Sequence, residues 1–408
     1  MYDYRIDFEA RDLLFFGDGL QADGSTAGNG VNWPLPSVVN SALIASLHNG
    51  LEEDIKQYTS EHGKYNDLEN LKKERGIAVR YSCGGVQSLG PFPVKDGKMY
   101  VPIPADLQAG KNEELAIMRL IDNAGPGNLP QPLKYLVAPV LPPSKETPGN
   151  WISLDDLGKY LNGEANIETA KNSDFYEVER RVGIAINPDT LSTVEGKFYS
   201  AEYMRLHSDV QLRVFASYTA SKHQGKESKN MLDTAKVKNT FETMMLGGQT
   251  GVVCQADMQK ETPAFPSSAH TRRLKWILLT PAIFRNGWLP GFLDGETGKI
   301  RLKTEVARGN LPRNEWRELV KQASEIDAHL VAARIPKHNY ASGWKLNGVT
   351  AGQPKPTRRL VPAGSVFYFE CASDSDADAL WKALHVHSRS DECGEQGFGF
   401  GVCGNWNI

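Results

Sequence analysis

Five glycines in eleven positions, Gly394, Gly397, Gly399, Gly401 and Gly404, constrain the backbone of this chain more than any other stretch does. Such a segment can adopt positive φ and let another backbone or a ligand approach closely. Phe398 and Phe400 alternate with the glycines, so their rings either pack beneath a loop or stack on an unpaired base. The segment is not a phosphate loop, because no Gly-Lys-Ser/Thr follows it. Nor does it sit between a first strand and a crossover helix, as a dinucleotide fingerprint must. A glycine-kinked strand hairpin with no ligand fits the same residues.

Elsewhere the chain reads as short strands around few helices. Tyr2 to Phe8 alternates apolar and polar residues as a strand does. Gly17 to Gly30 is a loop of small residues, and Trp33-Pro34-Leu35-Pro36 interrupts regular structure. Ser37 is then expected as the N-cap of an amphipathic helix, Val38 to Leu47, ending at Asn49-Gly50. Residues 51–76, charged and poor in large apolar groups, read as an exposed helical insertion. Pro91, Pro93, Pro102 and Pro104 keep strands in that region short or at an edge. Trp151 to Leu161 reads as a short helix, and Glu179–Ile186, Val210–Ala216, Leu274–Leu279 and Ser365–Glu370 read as strands. Asp376–His385 reads as a further helix. The class is α+β, and two sheet-and-helix units of the ferredoxin-like kind suit length and pattern. Periodicity does not show the topology.

With 408 residues, 40% of them hydrophobic, the chain has the material for two domains. No apolar run is long enough to span a membrane, and the acidic, alternating start does not suit a signal peptide. Five scattered cysteines are expected as reduced thiols in a cytoplasmic protein. The net charge of −3 does not suggest nucleic acid, but its distribution is uneven. Residues 1–170 hold 15 Lys and Arg against 23 Asp and Glu, and the remainder holds 31 against 26. A basic second half can face phosphates while an acidic first half faces protein or solvent.

A small-residue loop feeding a helix start is an anion site in outline, and Ser37, Asn40 and Ser41 offer side-chain hydrogen bonds there. Among the basic clusters, Arg272/Arg273 and Arg358/Arg359 flank expected strands and are the better phosphate candidates. His48, near a helix end, is the residue a metal-free ribonuclease would use as general base, but it has no local partner in sequence. His385, His387, Cys393 and Cys403 match no zinc-knuckle spacing. No nucleophile elbow or paired-carboxylate motif occurs, so neither an active site nor a cofactor is expected.

In order along the chain, these segments resemble the RAMP-superfamily third subunit of the type III-B (Cmr) CRISPR effector complex. Arg11-Asp12-Leu13-Leu14-Phe15-Phe16-Gly17-Asp18-Gly19 and Trp33-Pro34-Leu35-Pro36-Ser37 look like its opening motifs. Gly90-Pro91-Phe92, Val101–Leu107, Glu179–Ile186, Glu195–Tyr199, Pro362–Phe369 and the glycine-rich terminus continue the match. Two departures remove charge: Gly17 stands where a basic residue is usual, and Leu246–Gly251 lacks the expected Glu-Gly-Arg. The resemblance implies tandem ferredoxin-like (RRM-like, RAMP) domains. These would span 1–170, with the charged helical insertion, and 171–408, ending in the glycine-rich loop. It further implies a non-catalytic subunit that helps hold the 5′ tag of the guide RNA. Its partners would be the large polymerase-like subunit and a backbone RAMP subunit. The residues expected to meet RNA are Ser37, Asn40, Arg272, Arg273, Arg358, Arg359 and the Gly397, Phe398, Gly399, Gly401 segment. Alternatives are a metal-independent RAMP endoribonuclease with His48 as base, and a protein-only scaffold.

Overall fold

The computed structural model describes residues 2–17, 33–49, 85–111, 114–122, 129–164, 166–219, 222–223, 226–227, 230–248, 251–306, 309, 311–347 and 350–407. The expected insertion at 51–76, most of the Gly17–Gly30 loop and the His48 side chain lie outside what is described. Sheet dominates. Eight strands form the first sheet: Tyr4–Ala10 (β1), Val86–Lys95 (β2), Lys98–Pro102 (β3), Trp151–Ser153 (β4), Thr169–Ala170 (β5), Val210–Tyr218 (β6), Met244–Met245 (β7) and Val252–Lys260 (β8). Their spatial order is β7-β8-β1-β6-β2-β3-β4-β5. The second sheet holds Arg273–Leu278 (β9), Ala328–Arg334 (β10), Val366–Cys371 (β11), His387–Ser388 (β12) and Phe400–Asn405 (β13), ordered β10-β11-β9-β13-β12. Among the described residues the α-helices are Pro36–Asn49 (α1), Leu154–Leu161 (α2), Met231–Lys238 (α3), Arg313–Gln322 (α4) and Asp374–Leu384 (α5).

Both sheets share one connectivity. Taken as β1, α1, β2, β6, α3, β8, the first runs β-α-β-β-α-β, with its strands lying side by side as fourth, first, third, second. The second repeats this as β9, α4, β10, β11, α5, β13. All these neighbours are antiparallel.

Alternation explains why β1 lies where it does. Tyr4, Ile6 and Phe8 point to one face and are buried under α1, which presents Val39, Leu43 and Leu47 at helical spacing. Each such leucine contributes roughly 2 kcal/mol by leaving water. Helix α1 begins at Pro36, whose missing N–H costs nothing in a first turn, so Ser37 lies inside the helix and is not its cap. The expected helix from Trp151 divides in two. Trp151–Ser153 is strand, and Ser153 Oγ accepts from Asp156 N at 3.1 Å to start α2.

The two sheets are not separate globules. Leu274, Trp276 and Leu278 of β9 face α5, with its Leu380 and Leu384. The alternate residues Ile277 and Leu279 join Leu89, Phe92 and Phe215 of the first sheet, and Tyr368, Phe400 and Val402 of the second, in a common core. The expected division at 170/171 therefore does not match the sheets. Strands β6 and β8 belong to the first, which runs to Lys260. Pairing of Tyr4 with Ala216 and with Lys260 is non-local, and local alternation carries no trace of it. Among the described residues no helix is long and apolar enough to cross a membrane.

Candidate nucleic-acid interface

The glycine segment lies at the seam between the sheets. One turn of 3-10 helix, Gly394–Gln396, is flanked by Cys393 and Gly397 with φ of 58° and 94°. Thr280 Oγ1 donates to Gly397 O at 2.6 Å and accepts from Phe400 N at 2.9 Å, which turns the chain into β13. A Cβ on Gly397 would lie 2.6 Å from the Ser88 carbonyl oxygen, and one on Gly401 would strike the Trp276 indole nitrogen. The glycines are thus needed by protein backbone packed against protein. Gly399, also at positive φ, donates its N–H to Pro281 O at 2.8 Å. Phe398 is 1% exposed and packs with Ile283, Leu360 and Leu35, so stacking on a base is closed to its ring.

Ser88 ties three elements together. Asn40 of α1 donates Nδ2 to Ser88 Oγ at 3.0 Å, and Tyr2 OH donates to Ser88 O at 3.5 Å, the oxygen that also faces Gly397. Asn40 is buried and committed to that bond, which corrects the expectation that it meets RNA. Ser37, three residues earlier, is half-buried. Trp33 Nε1 donates to Pro91 O at 2.7 Å, fixing the entry to α1 over β2.

The two arginine pairs are not brought together. Arg272 and Arg273 stand at the start of β9, where Arg272 pairs with Asp374 at 2.7 Å and Arg273 lies 5.2 Å from the Trp406 ring. Arg358 and Arg359 belong to a short strand, Arg358–Leu360, whose neighbour Val361 bridges Ala282 beyond the other end of β9. A six-residue strand puts about 20 Å between them. Arg358 and Arg285 both pair with Glu392, beside the glycine segment. Arg359 is exposed and has no ion pair among the described residues.

Sequence reading missed the most buried polar group at this seam. Asp106 is wholly buried; its carboxylate accepts from Tyr160 OH at 2.5 Å and Tyr368 OH at 2.8 Å, and pairs with Lys275 Nζ at 3.4 Å. The Lys275 ammonium sits 3.7 Å from the centre of the Tyr160 ring. Burial, then the charge of Asp106, holds both tyrosine hydroxyls well above their ordinary range, and burial pushes Lys275 down against the pull of Asp106. Lys275, although a lysine ordinarily lies at the surface, is only 2% exposed. A signal existed: it is the one charge inside the apolar run Leu274–Leu279. His385, weighed as a metal ligand, accepts from Cys403 N at 3.1 Å through Nδ1.

No curated protein matches the chain. Similar chains occur in solved structures of type III complexes. One, in the type III-B Cmr-beta complex bound to cognate target RNA and AMPPnP, is 12% identical, with 89% of this chain and 86% of that chain covered and a TM-score of 0.44. One in the Csm3-Csm4 subcomplex of the type III-A interference complex is 10% identical, with 92% and 96% covered and a TM-score of 0.38. Another, in the Csm1-Csm4 cassette with pppApA, is 10% identical, with 88% and 97% covered and a TM-score of 0.30. The model of the CRISPR-associated protein family Cas_Cmr3 matches residues 6–406, a span that takes in both sheets, the seam and the glycine segment. The chain therefore belongs to the Cas_Cmr3 family of CRISPR-associated proteins.

Proposed function

We propose that this chain is a non-catalytic subunit of a type III CRISPR effector complex that holds the 5′ tag region of the guide RNA. It docks on the large polymerase-like subunit, next to a backbone RAMP subunit. Its two β-α-β-β-α-β units are read as tandem ferredoxin-like domains, the second beginning after Lys260. The observation that carries the RNA reading is the Arg358–Leu360 strand at the rim of the seam. Arg359 has no ion pair among the described residues, so a phosphate contact there breaks no existing bridge. Arg358 shares Glu392 with Arg285, and a phosphate can exchange for that carboxylate. Phe398 packs beneath Leu360, so the glycine segment supports this rim from below rather than touching RNA itself. Ser37 and the Arg272/Arg273 pair are secondary contacts in this reading.

Guide RNA retained per assembled complex tests it. Alanine at Arg358 and Arg359 together should lower retention several-fold and flatten its salt dependence by a slope of about 1.4, the share of two single-strand phosphate contacts. Alanine at Arg272 and Arg273 should do less. Normal retention in a complex with all four arginines replaced would turn the assignment to a protein-only scaffold.

A further inference from the structure

Beside Arg359 lies an aromatic pair, Tyr340 and His338. The strand Arg358–Leu360 pairs antiparallel with Asn339–Ala341, and Tyr340 stands directly opposite Arg359. Directly paired residues of an antiparallel ladder share one face, so the phenol ring and the guanidinium are neighbours. His338, two residues before Tyr340, falls on the same face. Its Nε2 lies 2.9 Å from Tyr340 OH, and the two rings meet edge to face at 5.1 Å and 85°. Tyr340 is half-buried, while Lys337, His338 and Arg359 are exposed, and neither Lys337 nor Arg359 has an ion pair among the described residues. The hairpin is anchored from beneath, since Leu360 is buried against Ile283 and Phe398.

We propose that Tyr340, His338 and Arg359 form a clamp for one unstacked base of single-stranded RNA and its adjoining phosphate. The inference rests on the RNA-holding reading and names a place on this chain where a base, as distinct from the backbone, is held. The hydrogen bond to His338 restrains the Tyr340 ring before any ligand arrives, so less freedom is lost on stacking. Arg359, one strand away, supplies a donor fork for the phosphate, and Lys337 adds charge at the mouth. Duplex RNA does not fit this description, because its bases are already stacked on one another. A protein anchor would want an apolar pocket; this face presents two polar-tipped rings and two cations with no ion pair among the described residues.

Guide RNA carrying 5-iodouridine at single positions, assembled into the whole complex and irradiated, reads the contact directly. One position should crosslink to Tyr340 or His338. Tyr340→Ala should abolish that crosslink and weaken guide retention about tenfold, as loss of one base–aromatic stack does. Tyr340→Phe should keep most of both, because the ring remains. Thermal melting should be unchanged in either variant. Crosslinks confined to other parts of this chain, with normal retention by Tyr340→Ala, would overturn the clamp and leave the RNA-holding role standing. Absence of any crosslink to this chain, together with indifference to the four arginine replacements, would overturn both. Should Tyr340→Ala instead release a protein subunit while guide binding is untouched, the face belongs to protein and the clamp is refuted.

Discussion

Removing the carboxylate of Asp106 would strand Lys275, Tyr160 and Tyr368 together in a dry core. Asp106→Asn should therefore cost about 3–5 kcal/mol in denaturant unfolding, the usual loss when one partner of a buried pair is deleted. Asp106→Leu combined with Lys275→Met should recover much of it, because no charge is then left unpaired. A second residue sets behaviour in acid. His385 is buried beside Trp381, with rings 4.3 Å apart, and burial, with the charges of His387 and His270 adding, pushes its pKa down to about 4. The unfolded chain takes up this proton near pH 6.5, whereas the folded chain resists it until about 4. Its contribution to stability is thus complete above pH 6.5 and is lost as pH falls towards 4, by on the order of 2–3 kcal/mol. His385→Asn, which keeps an acceptor for Cys403 N, should flatten the acid limb of a melting-temperature profile; an unaltered limb would point to other groups. At this scale the sequence was partly legible. Lys275 was visible as a charge in an apolar run, but which carboxylate answers it depends on a fold that local pattern does not contain.

Among the elements, the glycine segment carries the sharpest expectation. Gly397→Ala combines a residue held at φ of 94° with a Cβ driven to 2.6 Å from Ser88 O. A loss of about 2–4 kcal/mol should follow, measurable by thermal or urea unfolding. Wild-type stability in that variant would mean the turn relaxes without cost. Alternating Phe and Gly did reveal close approach, but not whether the approaching partner was RNA or the chain itself. Ser88, the residue that decides it, has no distinguishing mark in sequence. The strand read at Glu179–Ile186 shows the converse. It forms one arm of a long hairpin, Tyr176–Ile186 with Thr193–Leu206, as alternation indicated. Yet Val178, Val182, Ile184 and Ile186 are all more than half exposed, contrary to the usual inference that the apolar face of a strand is covered.

For the molecule as a whole, the shared core makes the two sheets interdependent. Leu89, Phe92 and Phe215 on one side, and Ile277, Tyr368 and Phe400 on the other, leave water only when both are present. Calorimetry should therefore record a single cooperative transition, and a fragment ending near residue 264 should aggregate or bind a hydrophobic dye. Two separated transitions would show the seam to be weaker than its composition indicates. The mixed, sheet-rich class with few helices could be read from strand recurrence. The boundary could not, since β6 and β8 return to β1 across long stretches of chain. The same returns have a consequence for biosynthesis. Each unit is closed by its last strand, β8 beside β1 and β13 beside β9. A ribosome delivers the first unit complete once Lys260 has emerged, while the apolar face of Leu89, Phe92 and Phe215 stays open until Asn405 follows. Throughout that interval the nascent chain offers chaperones a sticky, half-finished surface, and its yield in the cell depends on how long translation takes to cover it.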